Sequence, residues 1–240
     1  MKTVCLITGV SSGIGERLCY QLIAQGYYVI GIARREERLQ ELTQEFGEHS
    51  FQGYCCDTSD RQQVKTVSEK IRNKNMIPEY FFLNAGMGEL ELTLNGDTHH
   101  RIFNTNYFGT LYWIEEWLWT ARERGAQFVA VSSLASIRAA PNAPAYGASK
   151  AALRVCIDAL RIQYRNTPVG FTLVVPGPVN TKMLERSVPF SWSPDRAASR
   201  IIKAAINREK VVFFPWIWTW GYRVLALMRD SVTAKFLGNE

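Results

Sequence analysis

The chain holds no Cys-x-x-Cys pair, only three histidines, and no run of about five like charges. Five cysteines (Cys5, Cys19, Cys55, Cys56 and Cys156) are an odd number without metal-ligand spacing. They predict neither a disulfide framework nor a zinc site and fit a reducing, cytoplasmic setting. His99 and His100 have no third ligand at a useful spacing and read as surface residues at a helix start; no metal is expected. The excess of 28 Lys+Arg over 22 Asp+Glu is spread along the chain, for a net charge of +6. Without a concentrated basic stripe, nucleic acid is not an expected partner. Long apolar runs are also missing. The most apolar stretch, 211–228, is broken by Pro215, Gly221 and Arg223, which excludes a span of about 20 residues but leaves peripheral contact with a membrane open. The N-terminal MKTVCLITG is too short for a signal-peptide core and has no small-residue cleavage site.

What the 240 residues do contain is 47% hydrophobic and 21% charged, an ordinary globular balance. Apolar or β-branched runs at 3–8, 28–32, 51–56, 80–83, 128–132, 171–175 and 211–214 alternate with helical periodicity. The helical stretches are 13–25, 35–46, 60–74, 98–124, 145–166 and 195–207, with another after Pro215. Repeated β-α-β order predicts a parallel seven-stranded sheet covered on both faces, a three-layer, doubly wound α/β domain of the Rossmann type. No linker divides it, so residues 1–240 form one domain. It carries a loop at 182–196 and an apolar extension at 213–240. Two long connections, 84–97 and 176–194, follow the carboxyl ends of strands, where open α/β sheets bind ligands.

The first strand runs into Thr8-Gly9-Val10-Ser11-Ser12-Gly13-Ile14-Gly15 and then a helix. Glycines allow a sharp exit and close backbone approach, and the helix start offers free N–H groups to a pyrophosphate. Ser11 and Ser12 can add hydroxyl donors. No Gly-Lys-Ser/Thr follows, which disfavours a Walker-type nucleotide site. At the end of the second strand, the carboxylate that would accept from an NAD ribose is absent, and Arg34 and Arg35 stand there instead. A guanidinium suits a 2′-phosphate, so NADP (NADPH) is expected in preference to NAD. Arg34 is the first candidate contact and Arg17 the second; the alternative is that the arginines only open a charged helix.

Tyr146 and Lys150 are four residues apart on one helix face. An ammonium beside a phenol favours the phenolate and suits Tyr146 to proton transfer at a carbonyl or alcohol oxygen. Ser133, at the tip of the fifth strand, can bond the same oxygen. Tyr-x-x-x-Lys alone is weak, but it stands among Asn84-Ala85-Gly86, Asn104-Thr105-Asn106 and Pro176-Gly177-Pro178-Val179-Asn180-Thr181 in order. On these residues the chain resembles the short-chain dehydrogenase/reductase family over about residues 3–185. The resemblance implies Ser133, Tyr146 and Lys150 as a catalytic triad, with Asn106 as fourth member holding a proton-relaying water. It also implies cofactor contacts from Gly9, Ser11, Gly13, Ile14 and Gly15 to pyrophosphate and from Asp57, Asn84 and Gly86 to the adenosine side. Tyr146 and Lys150 would meet the nicotinamide ribose, and Pro176, Gly177, Val179 and Thr181 the nicotinamide side. Asp57 reads equally as a helix cap, and Leu83 departs from the Asn usual in the family.

The expected function is hydride transfer between NADP(H) and a carbonyl or secondary alcohol. Met183, Leu184, Val188, Phe190 and Trp192 suit a hydrophobic substrate or, equally, a lid on the core. Trp113, Trp117 and Trp119 divide between core and a subunit interface, and the resemblance implies a homodimer or homotetramer. The tryptophan-rich tail could complete that contact, wall the substrate site or rest on a membrane. Two rival readings stand beside this one: a catalytically silent NAD(P) sensor and an isomerase or dehydratase on the same fold.

Overall fold

The computed structural model describes residues 2–91, 93–181, 184 and 188–229. Strands β1 (Val4–Thr8), β2 (Tyr28–Ala33), β3 (Phe51–Cys55), β4 (Tyr80–Leu83), β5 (Ala126–Val131), β6 (Val169–Pro176) and β7 (Val211–Phe214) form one sheet. Its order is β3-β2-β1-β4-β5-β6-β7, and all six pairings are parallel. Parallel neighbours need crossovers, and the helices supply them. These are α1 (Gly13–Ala24), α2 (Glu36–Phe46), α3 (Arg61–Asn73), α4 (Gly96–Phe103), α5 (Gly109–Arg124), α6 (Pro144–Gln163), α7 (Pro194–Ile206) and α8 (Trp216–Leu227).

The sheet residues alternate between two cores. On one face Leu18, Leu22, Leu39, Leu42, Ile201 and Ile202 of α1, α2 and α7 pack on Ile7, Val29 and Val174. On the other, Val64, Ile71, Trp113, Trp117, Leu153 and Ile157 of α3, α5 and α6 pack on Leu6, Phe81, Phe128 and Phe171. Both faces being buried explains why the strands read as apolar runs rather than as alternating ones. Trp113 and Trp117 are core residues whose indoles each donate to a hydroxyl, Thr58 Oγ1 at 2.7 Å and Ser68 Oγ at 3.1 Å. Trp119 lies on the exposed side of α5.

The helical stretch at 98–124 is not one α-helix. A π-helical segment, Asn104–Phe108, separates α4 from α5. The loop bounded at 182–196 ends earlier, because Ser193 caps α7 by accepting from the Arg196 N–H. Met183 lies outside the described residues. The extension bounded at 213 begins inside β7 and turns into α8. Asp57 is not the cap of α3. That role belongs to Asp60, whose carboxylate accepts from the N–H groups of Gln62 and Gln63. Among the described residues no helix is long and apolar enough to cross a membrane. Nor, among them, is any group of three His, Cys, Asp or Glu residues placed to hold a metal.

Candidate active site

The strand order reverses between β1 and β4, which opens a crevice at their carboxyl ends. The turn from β1 into α1 lines it. A Cβ on Gly15 would lie 2.2 Å from the Gly9 carbonyl oxygen, so the helix can sit this close to the strand only without a side chain there. Gly13 has φ +60°, and a Cβ on it would come within 3.2 Å of the Thr181 methyl. Thr181 therefore faces the start of α1 across the crevice. Thr8 Oγ1 accepts from the N–H groups of Asn84 and Ala85, each at 3.0 Å, and ties the exit of β4 to the same turn. The Asn84 amide donates to the Thr8 carbonyl at 3.3 Å. Ile14 packs on the core below, and the Ser12 hydroxyl makes no cap bond to α1. This turn presents backbone and hydroxyl donors where a pyrophosphate would be received.

Two guanidinium groups flank it. Arg34 is largely exposed and stands 3.8 Å from Asp57, whose other oxygen accepts from the backbone and hydroxyl of Ser59. Arg35 reaches into the turn itself and donates to Ser11 Oγ at 2.8 Å and to the Ser11 carbonyl at 2.9 Å. Arg17 turns away, toward Asp195 and the ring of Tyr20. Arg34, Asp57, Arg35 and Ser11 thus form one polar rim, and Arg17 is not part of it.

At the other end of the crevice α6 begins with Pro144 and brings Tyr146 and Lys150 under the tip of β5. Ser133 stands near enough to Tyr146 to influence its phenol, and the lysine Nζ lies 6.0 Å from the Tyr146 ring centre. Lys150 is buried, and its ammonium donates to the Val131 carbonyl at 2.8 Å. Ser132 Oγ donates to the Lys150 carbonyl and holds that turn of helix to the strand. Burial raises the Tyr146 phenol above its ordinary value, and Ser133 draws it partly back. The same burial brings Lys150 down to about 8, because a charged ammonium loses its hydration there. The expectation of a phenol acidified by its lysine is not met here: the phenol is held above its ordinary value, chiefly by burial.

Asn106 sits fully buried in the π-helical segment. Its amide donates to the Met87 carbonyl at 2.9 Å and to Ser149 Oγ at 3.0 Å, and its Oδ1 accepts from the Met87 N–H at 2.8 Å. One side chain thereby fixes the loop after β4 against α6. Gly86 passes between Asn106 and Lys150, with a notional Cβ 3.3 Å from both Oδ1 and Nζ. Pro176 closes β6, Gly177 lies against Leu134 and Trp218, and Val179 bridges to Trp192.

One residue of this site gives no signal in the sequence. Glu91 is buried, and its Oε2 accepts from the Ala145 N–H at 3.2 Å, at the first turn of the helix that carries Tyr146. His99 Nε2 stands 3.5 Å from the other carboxylate oxygen. His99 is therefore a partner of a buried carboxylate rather than a plain surface residue. Only the folding of the loop after β4 onto α6 creates this contact.

Comparison with known proteins agrees with this geometry. The family model for short chain dehydrogenases matches residues 3–191. Hydroxysteroid 11-beta-dehydrogenase 1-like protein A of Xenopus laevis is 28% identical over 98% of this chain and 85% of its own. A short-chain dehydrogenase from Burkholderia cenocepacia, solved in complex with NADP, superposes with a TM-score of 0.85 at 21% identity, covering 99% of this chain and 98% of its own. One from Burkholderia phymatum in complex with NAD gives 0.84 at 19%, covering 92% of each. At these identities the two structures establish the fold, and the family model spans most of the chain. This chain therefore belongs to the short-chain dehydrogenase/reductase family and is one of its NAD(P)-dependent oxidoreductases.

Proposed function

We propose that the protein transfers a hydride between NADP(H) and a hydrophobic ketone, aldehyde or secondary alcohol, using Ser133, Tyr146 and Lys150. The observation that carries this is the cluster at the crevice: the Tyr146 phenol near Ser133 at the strand tip, with the buried Lys150 ammonium 6.0 Å from its ring. The dinucleotide, when bound, supplies or accepts the hydride. The glycine turn fits its pyrophosphate because the start of α1 offers backbone N–H groups with the Ser11 and Ser12 hydroxyls beside them. Ser133 donates to the substrate oxygen, and Tyr146 gives that oxygen its proton in reduction or takes one in oxidation. Lys150 favours the phenolate as it forms, and Asn106 keeps the wall of the site rigid. NADP in preference to NAD rests on Arg34 and Arg35 at the rim, where Arg34 also stands beside the Asp57 carboxylate.

Following reduced nicotinamide with a panel of ketones, aldehydes and alcohols tests the reaction and separates it from a silent sensor or an isomerase. Tyr146→Phe is expected to lower kcat by about 10³-fold while NADPH titration stays near wild type. Equal turnover by the variant on an identified substrate would overturn the assignment.

For partners, a second copy would pack on α5 and α6, whose Trp119, Val155 and Ile162 are exposed, with Phe108 just before α5. The C-terminal segment would make peripheral membrane contact from the cytoplasm.

A further inference from the structure

Helix α8 has two faces of different character. Trp218 and Tyr222 point inward and pack on the core that underlies α6. The Trp218 indole donates to the Pro189 carbonyl at 2.9 Å, and its Cβ is 3.1 Å from a notional Cβ on Gly177. Burial holds the Tyr222 phenol above its ordinary value, with the catalytic phenol a further cause. The inner face is therefore a wall of the candidate active site.

The outer face is open. Trp216 is 70% exposed, Trp220 61%, Val224 48% and Leu227 91%, at successive spacings of four, four and three residues, so they line one side of the helix. Phe190, next to the Pro189 that Trp218 holds, is also largely exposed. Arg223 stands among them, over the rings of Phe213 and Trp220. From Lys210 through Arg229 there are three basic residues and no Asp or Glu.

We propose that this outer face docks on an anionic lipid surface and presents the wall of the Ser133–Tyr146–Lys150 site to the bilayer, from which the site draws a membrane-dissolved ketone or alcohol. The inference deepens the proposed reaction and rests on it for the chemistry, though not for the docking. Tryptophans beside arginines suit the boundary between headgroups and acyl chains, and an acid-free basic stretch complements anionic headgroups. A second copy of the chain fits this face less well. A helix of 12 residues is about 18 Å long and about 10 Å wide, so one side offers about 200 Å2. A stable interface buries about 800 Å2 on each partner.

The test is flotation of the full-length protein with vesicles of phosphatidylcholine alone and with about 30% phosphatidylserine added. Wild type should float with the anionic vesicles and much less with the neutral ones. Trp216→Ser/Trp220→Ser should lose about ten-fold in partitioning, whereas Trp119→Ser on α5 should not. With a vesicle-dissolved ketone the double variant should show a raised KM, and with a water-soluble ketone unchanged kinetics. Failure of wild type to float, or flotation equal in the double variant, would overturn the docking. So would a wild-type dimer that the double variant turns into a monomer without lipid, which would give this face to a second copy. Turnover of the soluble ketone without vesicles reads the catalytic proposal separately.

Discussion

Lys150 shows how a single buried charge is traded between function and stability. Unfolded, its ammonium titrates near 10.5; folded, at about 8, because burial strips its hydration. Below pH 8 both states are protonated and the whole penalty on the folded state is present. Between about 8 and 10.5 the unfolded chain binds the extra proton, so stability rises with pH. Lys150→Met should therefore raise the melting temperature, most below pH 8, by at most about 3 kcal/mol of stability, with the gain fading as pH approaches 10.5. Thermal melts of both proteins from pH 6 to 10 check this. In the wild type, kcat/KM for carbonyl reduction should fall as pH rises through about 8, where the ammonium is lost. At the rim, Arg35→Ala should weaken NADPH more than NADH, because Arg35 already reaches the turn through Ser11 while Arg34 is tied to Asp57. Equal losses for the two cofactors in binding titrations would remove Arg35 from 2′-phosphate recognition.

The element that decides the geometry is α6, and its first turn is fixed from outside. Helix starts leave N–H groups unpaired, and at Ala145 the partner is Glu91, from a different loop. Glu91→Ala would leave that N–H without its acceptor and the partly buried His99 without the carboxylate beside it. It should destabilise by about 1–3 kcal/mol and lower kcat by misplacing Tyr146, while NADPH binding at the distant turn changes little. Denaturant melts and steady-state kinetics measure the two effects. The strands around it were plain from the chain alone: 80–83 and 211–214 coincide with β4 and β7, and the others differ by a few residues at their ends. The π-helical segment was not, since Asn104–Phe108 continues the helical periodicity, and the contact of Asn106 with Met87 joins it to a separate loop.

For the molecule as a whole, two regions of exposed apolar surface carry separate proposed uses. One lies on α5 and α6 and the other on α8. Trp119→Glu together with Val155→Glu should reduce the mass seen in sedimentation, if α5 and α6 join subunits, without affecting lipid flotation. The order of elements, the glycine turn and the Ser133, Tyr146 and Lys150 positions follow from local pattern, because period, glycine placement and a four-residue helical spacing act over short distances. Which arginine reaches the turn, what Glu91 holds, and which tryptophans meet water depend on segments far apart in the chain coming together. No local rule reports those contacts: each energy arises between side chains that are neighbours only after the sheet has closed its order and the loops have settled on its edge.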